Sequence, residues 1–242
     1  MIRVAAVGDI HLGPDNVDAF RDSVRTVDHD ADVLLLAGDL TRHGELEEAM
    51  LVAEAVAGLE VPVVAVLGNH DHHAGCAERI TDELTARGIT VLEGSSVAIE
   101  AGGTTLGIAG AKGFGGGFAG ACASDFGEPE MKAFVRHTKD IADQLCRTLS
   151  DLETDVRVAL LHYSPVEDTL RGERLEIFPF LGSYLLAEAI DSAGADLAVH
   201  GHAHAGVEHG TTAGGTRVRN VAMPVIRSGY RVYELDPALS VG

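Results

Sequence analysis

The sequence predicts an α/β fold built on a mostly parallel β-sheet that is covered by helices. Three apolar, strand-like runs near the start of the chain alternate with helical stretches at about residues 17–27 and 45–59; the runs are Ile2–Val7, Val33–Ala37 and residues 61–67. The second helical stretch places apolar residues on one face and acids on the other. Alternation of this kind is typical of parallel strands joined by helical crossovers.

The remainder of the chain continues with both kinds of element. We expect helices at about residues 77–87, 128–149 and 184–192, and strands at about residues 90–92, 96–100, 104–109, 156–161 and 197–200, followed by hairpin-like β structure to the C-terminus. The long helix has a clear apolar stripe with a helical period. No Pro/Ser-rich linker, repeat or low-complexity segment interrupts the pattern, so we predict a single domain over residues 1–242.

Composition restricts the classes of partner. The chain has 242 residues with 18 basic and 37 acidic side chains, and a formal net charge of −19. Because proteins bind long polyanions by neutralising phosphates with Lys and Arg, we expect no extended nucleic-acid partner, whereas a small nucleotide stays open. Three scattered cysteines, an odd number, and the absence of a signal peptide or long apolar run predict a cytoplasmic protein without a membrane segment. The oligomeric state is not predicted.

Five of the apolar runs end in side chains that can bind metal ions. The endings are Gly8-Asp9-Ile10-His11, Gly38-Asp39-Leu40-Thr41, Gly68-Asn69-His70-Asp71, His162, and His200-Gly201-His202-Ala203-His204. Taken singly, Asp39 is as typical of a helix N-cap, Asn69 of a turn and His162 of a histidine in the core. Parallel strands, however, end on one edge of a sheet, where ligand crevices form, so the five endings together predict one site.

The spacing and chemistry of these residues favour two metal ions. Residues i and i+2 of an extended segment point to the same side, so Asp9 with His11, and His202 with His204, can each face a common point. Carboxylate, amide oxygen and imidazole ligands suit Mn²⁺, Fe²⁺ or Zn²⁺. Seven such ligands exceed what one ion takes from protein, so we expect two ions that share a bridging group.

The same motifs, in this order from residue 8 to residue 204, resemble the five motifs of the calcineurin-like metallophosphoesterases. The resemblance implies a four-layer αββα sandwich of two mixed sheets with a dinuclear site between them. It assigns one ion (Mn²⁺, Fe²⁺/Fe³⁺ or Zn²⁺) to Asp9, His11 and His204, the other to Asn69, His162 and His202, and a bridging role to Asp39. It also implies that His70 is the catalytic imidazole and that Asp71 orients it.

The expected reaction is hydrolysis of a small phosphodiester, such as a cyclic nucleotide, by a hydroxide that bridges the two ions. Metal binding lowers the pKa of water from ~15.7 to roughly 7, and His70 then protonates the leaving alkoxide. A phosphomonoesterase or pyrophosphatase of the same family stays open. So do a non-catalytic scaffold of this fold and a metal-sensing protein, although the presence of His70 beside all seven ligands favours catalysis.

Two further segments are candidates for the rim of the cleft. The glycine-rich run Gly113–Gly120 is predicted to be a mobile loop with Phe114 or Phe118 as a lid, or a plain flexible loop; its GxGxxG lacks the βαβ context of a dinucleotide site. In the segment Arg171–Phe180, the arginines could hold a second anionic group of the substrate or form surface ion pairs.

The remaining histidines are assigned mostly structural positions. We predict His200 to pack in the sheet and His72 and His73 to be exposed, with substrate contact as the alternative. His43 is equally compatible with a phosphate contact and a surface position, and the histidines expected at the surface are His29, His137 and His209.

Overall fold

A computed structural model describes residues 1–237. The strands are β1 Ile2–Val7, β2 Val33–Ala37, β3 Val63–Val66, β4 Thr90–Val91, β5 Ser95–Ala101, β6 Thr104–Ala111, β7 Gly117–Phe118, β8 Ala121–Cys122, β9 Val156–Leu161, β10 Leu197–His200, β11 His209–Thr211, β12 Arg217–Asn220 and β13 Arg231–Leu235. The α-helices are α1 Val17–Val24, α2 Val27–Asp30, α3 Leu46–Val56, α4 Ala77–Ala86, α5 Pro129–Ser150, α6 Phe178–Leu181, α7 Tyr184–Ala193 and α8 Met223–Ile226, and 3₁₀ turns cover Glu167–Leu170 and Leu175–Ile177. The end of the predicted single domain, residues 238–242, lies outside the described residues.

The strands form two mixed sheets and a two-stranded ribbon. The first sheet has the order β13-β1-β2-β3-β4, in which only β13 is antiparallel to its neighbour. The second sheet has the order β11-β12-β10-β9-β6-β5, with parallel strands at its centre and antiparallel strands at both edges. The ribbon pairs β7 with β8.

The two sheets pack face to face, and helices cover their outer faces. Along β1, Ile2, Val4 and Ala6 point into the core between the sheets, whereas Ala5 and Val7 point toward α1–α4. This alternation is the two-residue period of a strand that is buried on both faces. Helices α5 and α7 cover the outer face of the second sheet. The predicted αββα sandwich is therefore confirmed.

The helix boundaries differ from the predictions by a few residues. The stretch predicted as one helix over residues 17–27 is divided into α1 and α2 by a turn at Arg25 and Thr26. The long helix α5 begins at Pro129, where the missing amide hydrogen of proline costs nothing because the first turn has no partner for it. No helix of the described residues is long and apolar enough to span a membrane.

The fold brings the predicted strand endings to one place. The carboxyl ends of β1, β2 and β3 lie on one edge of the first sheet, and those of β6, β9 and β10 lie on one edge of the second. These two edges are joined, because the Gly8 amide donates to the Val221 carbonyl at 2.9 Å and the Val221 amide donates to the His200 carbonyl at 2.7 Å. Residues that follow the strands of both sheets therefore face one cleft.

Candidate metal centre

Six of the seven predicted ligands form two groups that share one carboxylate. Asp9, His11, Asp39 and His204 offer ligand atoms that all lie within 4.8 Å of one another, and Asp39, His162 and His202 do the same. Asp39 belongs to both groups, which is the position that a bridging ligand requires. The seventh predicted ligand, Asn69, lies beside the second group.

The first group is held mainly by Asp9. Its Oδ1 lies 2.8 Å from Nε2 of His204, and both of its carboxylate oxygens accept from the His202 amide, at 3.1 and 2.9 Å. The Nε2 of His11 lies 3.8 Å from Oδ2 of Asp39. Burial acts to raise the pKa of Asp9, but the hydrogen bond from His204 and the nearby histidines outweigh it and hold the pKa below its usual value. Asp9 is thus kept as an anion at the base of the cleft.

The second group has the arrangement of lone pairs that a cation site requires when His162 is neutral. Nδ1 of His162 lies 2.9 Å from the Ala37 carbonyl, which can only accept, so in neutral imidazole Nε2 carries the lone pair. This Nε2 lies 3.0 Å from Oδ1 of Asn69 and 3.3 Å from Oδ1 of Asp39. Flipping the amide would turn the first contact into a hydrogen bond, but an ionised Asp39 has no proton to donate. Several lone pairs facing one another at this distance fit a bound cation.

His202 is prepared as a neutral ligand. Its Nε2 lies 3.2 Å from the Phe180 carbonyl, so Nε2 donates there and Nδ1 is left with its lone pair. Burial lowers the pKa of His202 to about 3, which keeps the ring uncharged. A neutral imidazole is the form that binds divalent metals, and the carbonyl contact fixes the tautomer.

Backbone strain concentrates at these residues. Within residues 1–237, five non-glycine residues have positive φ, and four of them are predicted ligands: Asp9 (55°), His11 (41°), Asp39 (50°) and His202 (68°). Such conformations cost on the order of 1–3 kcal/mol each and persist only where surrounding structure imposes them. Their placement indicates that these loops are shaped to direct side chains into the cleft.

Two of the motif glycines leave room for the carboxylates. A Cβ atom at Gly68 would overlap the carboxylate and the amide of Asp39, and one at Gly201 would overlap the carboxylate of Asp9. Any larger residue at either position would displace an aspartate from the cleft. Steric overlap with the aspartates therefore explains why these two motif positions are glycine.

His70 faces the shared carboxylate. Its Nδ1 lies 2.7 Å from the Arg42 carbonyl, its Nε2 lies 4.0 Å from Oδ2 of Asp39, and its amide donates to Oδ1 of Asp39 at 2.8 Å. Its side chain is 45% exposed, so a molecule in the cleft can reach it. The carbonyl holds the proton on Nδ1, which leaves Nε2 directed toward the cleft.

The predicted role of Asp71 in orienting His70 is not what the structure shows. The Asp71 carboxylate is fully buried and accepts from the amides of Gly68, Leu40 and Thr41, at 2.7, 3.2 and 2.8 Å, and from the Thr41 hydroxyl at 2.5 Å. Both oxygens are occupied by these donors, while the Arg42 carbonyl takes the place expected for Asp71. Asp71 instead ties the loop after β3 to the loop after β2.

The glycine-rich run is packed, which corrects the prediction of a flexible loop. Gly116 donates to the Pro179 carbonyl at 2.7 Å, and Gly117 donates to the Gly182 carbonyl at 2.9 Å. Phe118 lies in a buried apolar cluster and therefore cannot act as a lid. A Cβ atom at Gly116 would meet Ser183, so close packing rather than mobility explains this glycine.

The other rim segment contributes backbone and an exposed ring. Phe180, whose carbonyl contacts His202, is 61% exposed, although large apolar side chains usually pack inside. Arg171 forms an ion pair with Asp168 three residues earlier, which matches the alternative of surface ion pairs for that arginine.

The histidines outside the motifs have ordinary environments. His200 is buried and contacts the Gly201 carbonyl and the Thr169 hydroxyl, at 2.7 and 2.8 Å, as predicted for a histidine packed in the sheet. His43 pairs with Glu48 at 2.9 Å rather than facing the predicted ligands. His72 and His73 are exposed.

Two residues of the cleft were missed by the sequence interpretation. Lys112 follows β6 at the same edge as the ligands, and its carbonyl accepts from the amides of His162 and Tyr163, at 3.0 Å each. Tyr163 packs its ring against that of His202, with centroids 4.3 Å apart. The available signal was the end of strand β6, because it carries a lysine where neighbouring strands carry metal ligands.

Comparison with known proteins agrees with this geometry. The family model described as calcineurin-like phosphoesterase matches residues 2–206. No curated protein sequence matches the chain.

Solved structures share the fold at low sequence identity. The phosphopantetheinyl hydrolase PptH from Mycobacterium tuberculosis superposes with a TM-score of 0.72 at 16% identity, covering 97% of this chain and 96% of that one. A putative 5′-nucleotidase from Staphylococcus aureus gives 0.61 at 16% identity, covering 98% of this chain and 51% of that one. GAP50, described as the anchor in the inner membrane complex of Plasmodium, gives 0.50 at 12% identity, covering 92% and 72%. Because the family model spans most of the sequence and its motifs meet in one cleft, the chain belongs to the calcineurin-like phosphoesterase family.

Proposed function

We propose that the protein is a metal-dependent phosphodiesterase that hydrolyses a small phosphodiester, with His70 as the general acid. The observation that carries the proposal is the pair of ligand groups that share Asp39, with His70 directed at the same carboxylate. Asp9, His11, Asp39 and His204 would hold one divalent ion, and Asp39, Asn69, His162 and His202 the other. When bound, the two ions would supply Lewis-acid charge compensation and water of lowered pKa.

The protein itself orients the His70 ring and supplies the proton for the leaving group. The Arg42 carbonyl fixes the His70 ring through Nδ1–H, so the proton given to the leaving alkoxide would be the one that Nε2 carries in the imidazolium form. The aspartates return two negative charges to the four positive charges of two divalent ions. The remaining net charge suits an anionic ester.

A diester is favoured by the side chains around the site. A terminal phosphate dianion is typically clamped by converging arginines or lysines. Among the described residues, no arginine side chain pairs or hydrogen-bonds with a predicted ligand, and Lys112 beside the second group is a single cation rather than a converging set. The name of one structural neighbour, a phosphopantetheinyl hydrolase, is compatible with an ester of phosphate as substrate, and the name of another, a putative 5′-nucleotidase, keeps the monoester alternative open.

A scaffold without catalysis is the second candidate function. It is favoured by the structural similarity to GAP50, which is described as an anchor. A complete ligand set with His70 in place argues for an enzyme, since a scaffold has no need of either. The cytoplasmic location and the identity of the metals stay predictions.

The test is hydrolysis by the full chain loaded with Mn²⁺. We expect turnover of thymidine 5′-(4-nitrophenyl phosphate), a diester, to exceed that of 4-nitrophenyl phosphate, a monoester. Replacing the general acid in His70→Ala should lower kcat by about 10²- to 10⁴-fold for a diester with an alkoxide leaving group, such as 3′,5′-cyclic AMP, with metal content unchanged. His73→Ala, at an exposed position in the same loop, is the matched control and should keep normal kcat.

Three results would contradict the proposal. They are metal-loaded protein that hydrolyses no diester, a clear preference for the monoester, and His70→Ala with the kcat of the unmodified chain. The first would favour the scaffold.

A further inference from the structure

Lys112 is fixed beside the second ligand group. Ala111, the last residue of β6, is paired in parallel register with Leu161, the last residue of β9, so Lys112 is the sheet neighbour of His162. The Lys112 carbonyl accepts from both His162 and Tyr163, at 3.0 Å each. The backbone of this lysine is therefore placed as firmly as that of the predicted ligand.

Among residues 1–237, the ammonium group of Lys112 has no hydrogen-bond or ion-pair partner. All 18 lysines and arginines lie within residues 1–237. The others whose side chains make neither an ion pair nor a hydrogen bond are exposed, whereas Lys112 is partly buried. Two acids act on it electrostatically, Glu93 more strongly and Asp39 less, and neither reaches ion-pair distance; Oε1 of Glu93 accepts instead from the Leu67 amide at 3.3 Å. Acids are not scarce in a chain with 37 of them, so the lack of a partner is specific to this place.

Aromatic rings hold the ammonium in position. Nζ lies 5.2 Å from the ring centroid of Phe114 and 5.7 Å from that of Tyr163, both within the range of cation–π attraction. Phe114 is itself packed against His137 and Phe134, with centroids 4.6 and 5.1 Å away. Ring contacts orient the ammonium but leave its three N–H donors free.

An unpaired cation beside a site for two divalent cations is repelled unless an anion lies between them. We propose that Lys112 binds a second anionic group of the substrate, a phosphate distinct from the phosphodiester that is cleaved. This inference rests on the proposed function, because it takes the cleaved group to lie at the predicted metal ligands.

The position of Tyr163 separates the two anionic groups. Its ring contacts His202 at 4.3 Å and lies under the Lys112 ammonium at 5.7 Å. The ammonium is thus one aromatic ring away from the histidines of the second group. A substrate that spans this gap carries its second phosphate on the far side of a sugar-sized linker, as a nucleoside bisphosphate does.

The test compares matched nucleotides with one and two phosphates. With the Mn²⁺-loaded full chain, thymidine 5′-(4-nitrophenyl phosphate) is compared with the same diester phosphorylated on its 3′-oxygen. A charge-assisted contact predicts a kcat/KM about 10- to 100-fold higher for the ester that carries the additional 3′-phosphate. Lys112→Met, which keeps the length of the side chain and removes its charge, should abolish most of that preference through KM while kcat for the singly phosphorylated diester changes little.

Equilibrium binding gives a readout that needs no turnover. Calorimetry should show adenosine 3′,5′-bisphosphate binding more tightly than AMP, with the difference lost in Lys112→Met and retained in part in Lys112→Arg. Lys132→Met, which removes an exposed lysine on α5, is the matched control for net charge and should leave the difference intact. Thermal unfolding of each variant identifies any that fail to fold, and Lys112→Arg then carries the test.

The outcomes separate the two proposals. Equal binding of bisphosphate and monophosphate by the unmodified chain, or a preference that survives in Lys112→Met, would overturn the role of Lys112. Binding that depends on Lys112 without hydrolysis of either diester would support the anion site and contradict the proposed phosphodiesterase.

Discussion

The two sheets hold their side chains in the cleft by different means. On the first sheet, the loops after β1, β2 and β3 are bonded to one another. The amides of Asp9 and His11 donate to the carbonyls of Gly38 and Asp39, at 2.9 and 3.0 Å, and so join the loop after β1 to the loop after β2. The Asp71 carboxylate joins the loop after β3 to the loop after β2. On the second sheet, rings pack beside the ligand histidines: the Tyr163 ring lies against that of His202, tilted by 43°, and Phe114 and Phe134 extend this wall.

This difference determines how substitutions act on the side of the cleft formed by the first sheet (the first side) and on the side formed by the second sheet (the second side). A buried hydrogen bond is lost completely when its acceptor is removed, because no water molecule can replace the acceptor. Contacts at a partly exposed aromatic wall are lost gradually, since water replaces the missing ring. We therefore expect substitutions in the bonded loops of the first side to affect folding and metal binding, and those in the aromatic wall of the second side, outside its ligand histidines, to affect mainly substrate binding.

The largest expected effect comes from Asp71→Asn. The amide has nearly the shape of the carboxylate, but its NH₂ group would face N–H donors of Leu40 and Gly68 or of Thr41, so at least one of these loses its acceptor. We predict a loss of about 2–4 kcal/mol in the free energy of unfolding, measured by urea denaturation, and about 10- to 100-fold weaker metal binding.

The matched control is Asp155→Asn. Asp155 also accepts from an amide and a hydroxyl, those of Thr105, both at 2.8 Å, but at an exposed position remote from the cleft. Its loss should be below about 1 kcal/mol, because water can replace the carboxylate. Equal losses in the two variants would show that Asp71 does not brace the loops.

A smaller effect is expected for Phe180→Ala on the second side. The ring is 61% exposed, so the free energy of unfolding should change by less than about 0.5 kcal/mol. Its backbone carbonyl, which contacts His202, is kept. We predict an increase of about 3- to 10-fold in KM for the nitrophenyl diester, because a ring at the rim can stack on an aromatic substrate group.

Steady-state kinetics and denaturation of the same preparation provide the comparison. If Phe180→Ala were as destabilising as Asp71→Asn, or if it left KM unchanged, the contrast between the two sides of the cleft would be lost.

The residues on the first side could be predicted from the sequence because each of them follows a recognisable strand within a few residues. Each loop carries its own signal, a strand followed by Gly and Asp or Asn, and parallel strands place their ends together. The layers and the two mixed sheets agree with the expected sandwich. The orienting role of Asp71 was nevertheless predicted wrongly, because adjacency in sequence to His70 does not reveal which donors surround a carboxylate.

The second side depends on packing between distant segments. The glycine-rich run looks flexible in sequence, and only its contact with Pro179 and Ser183 shows that the glycines allow close packing. Lys112 carries no motif, and its lack of an ion-pair partner among the described residues is a property of the fold that charge counts do not report. Such features are set by tertiary packing, so sequence patterns could not supply them.

The central claim is that Asp39 is shared by two metal ions. The direct measurement is anomalous diffraction from crystals grown with Mn²⁺. The geometry predicts two peaks, one on each side of the Asp39 carboxylate, the first beside His204 and the second beside His162. A single peak, or an Asp39 carboxylate turned away from both histidine groups, would contradict the account.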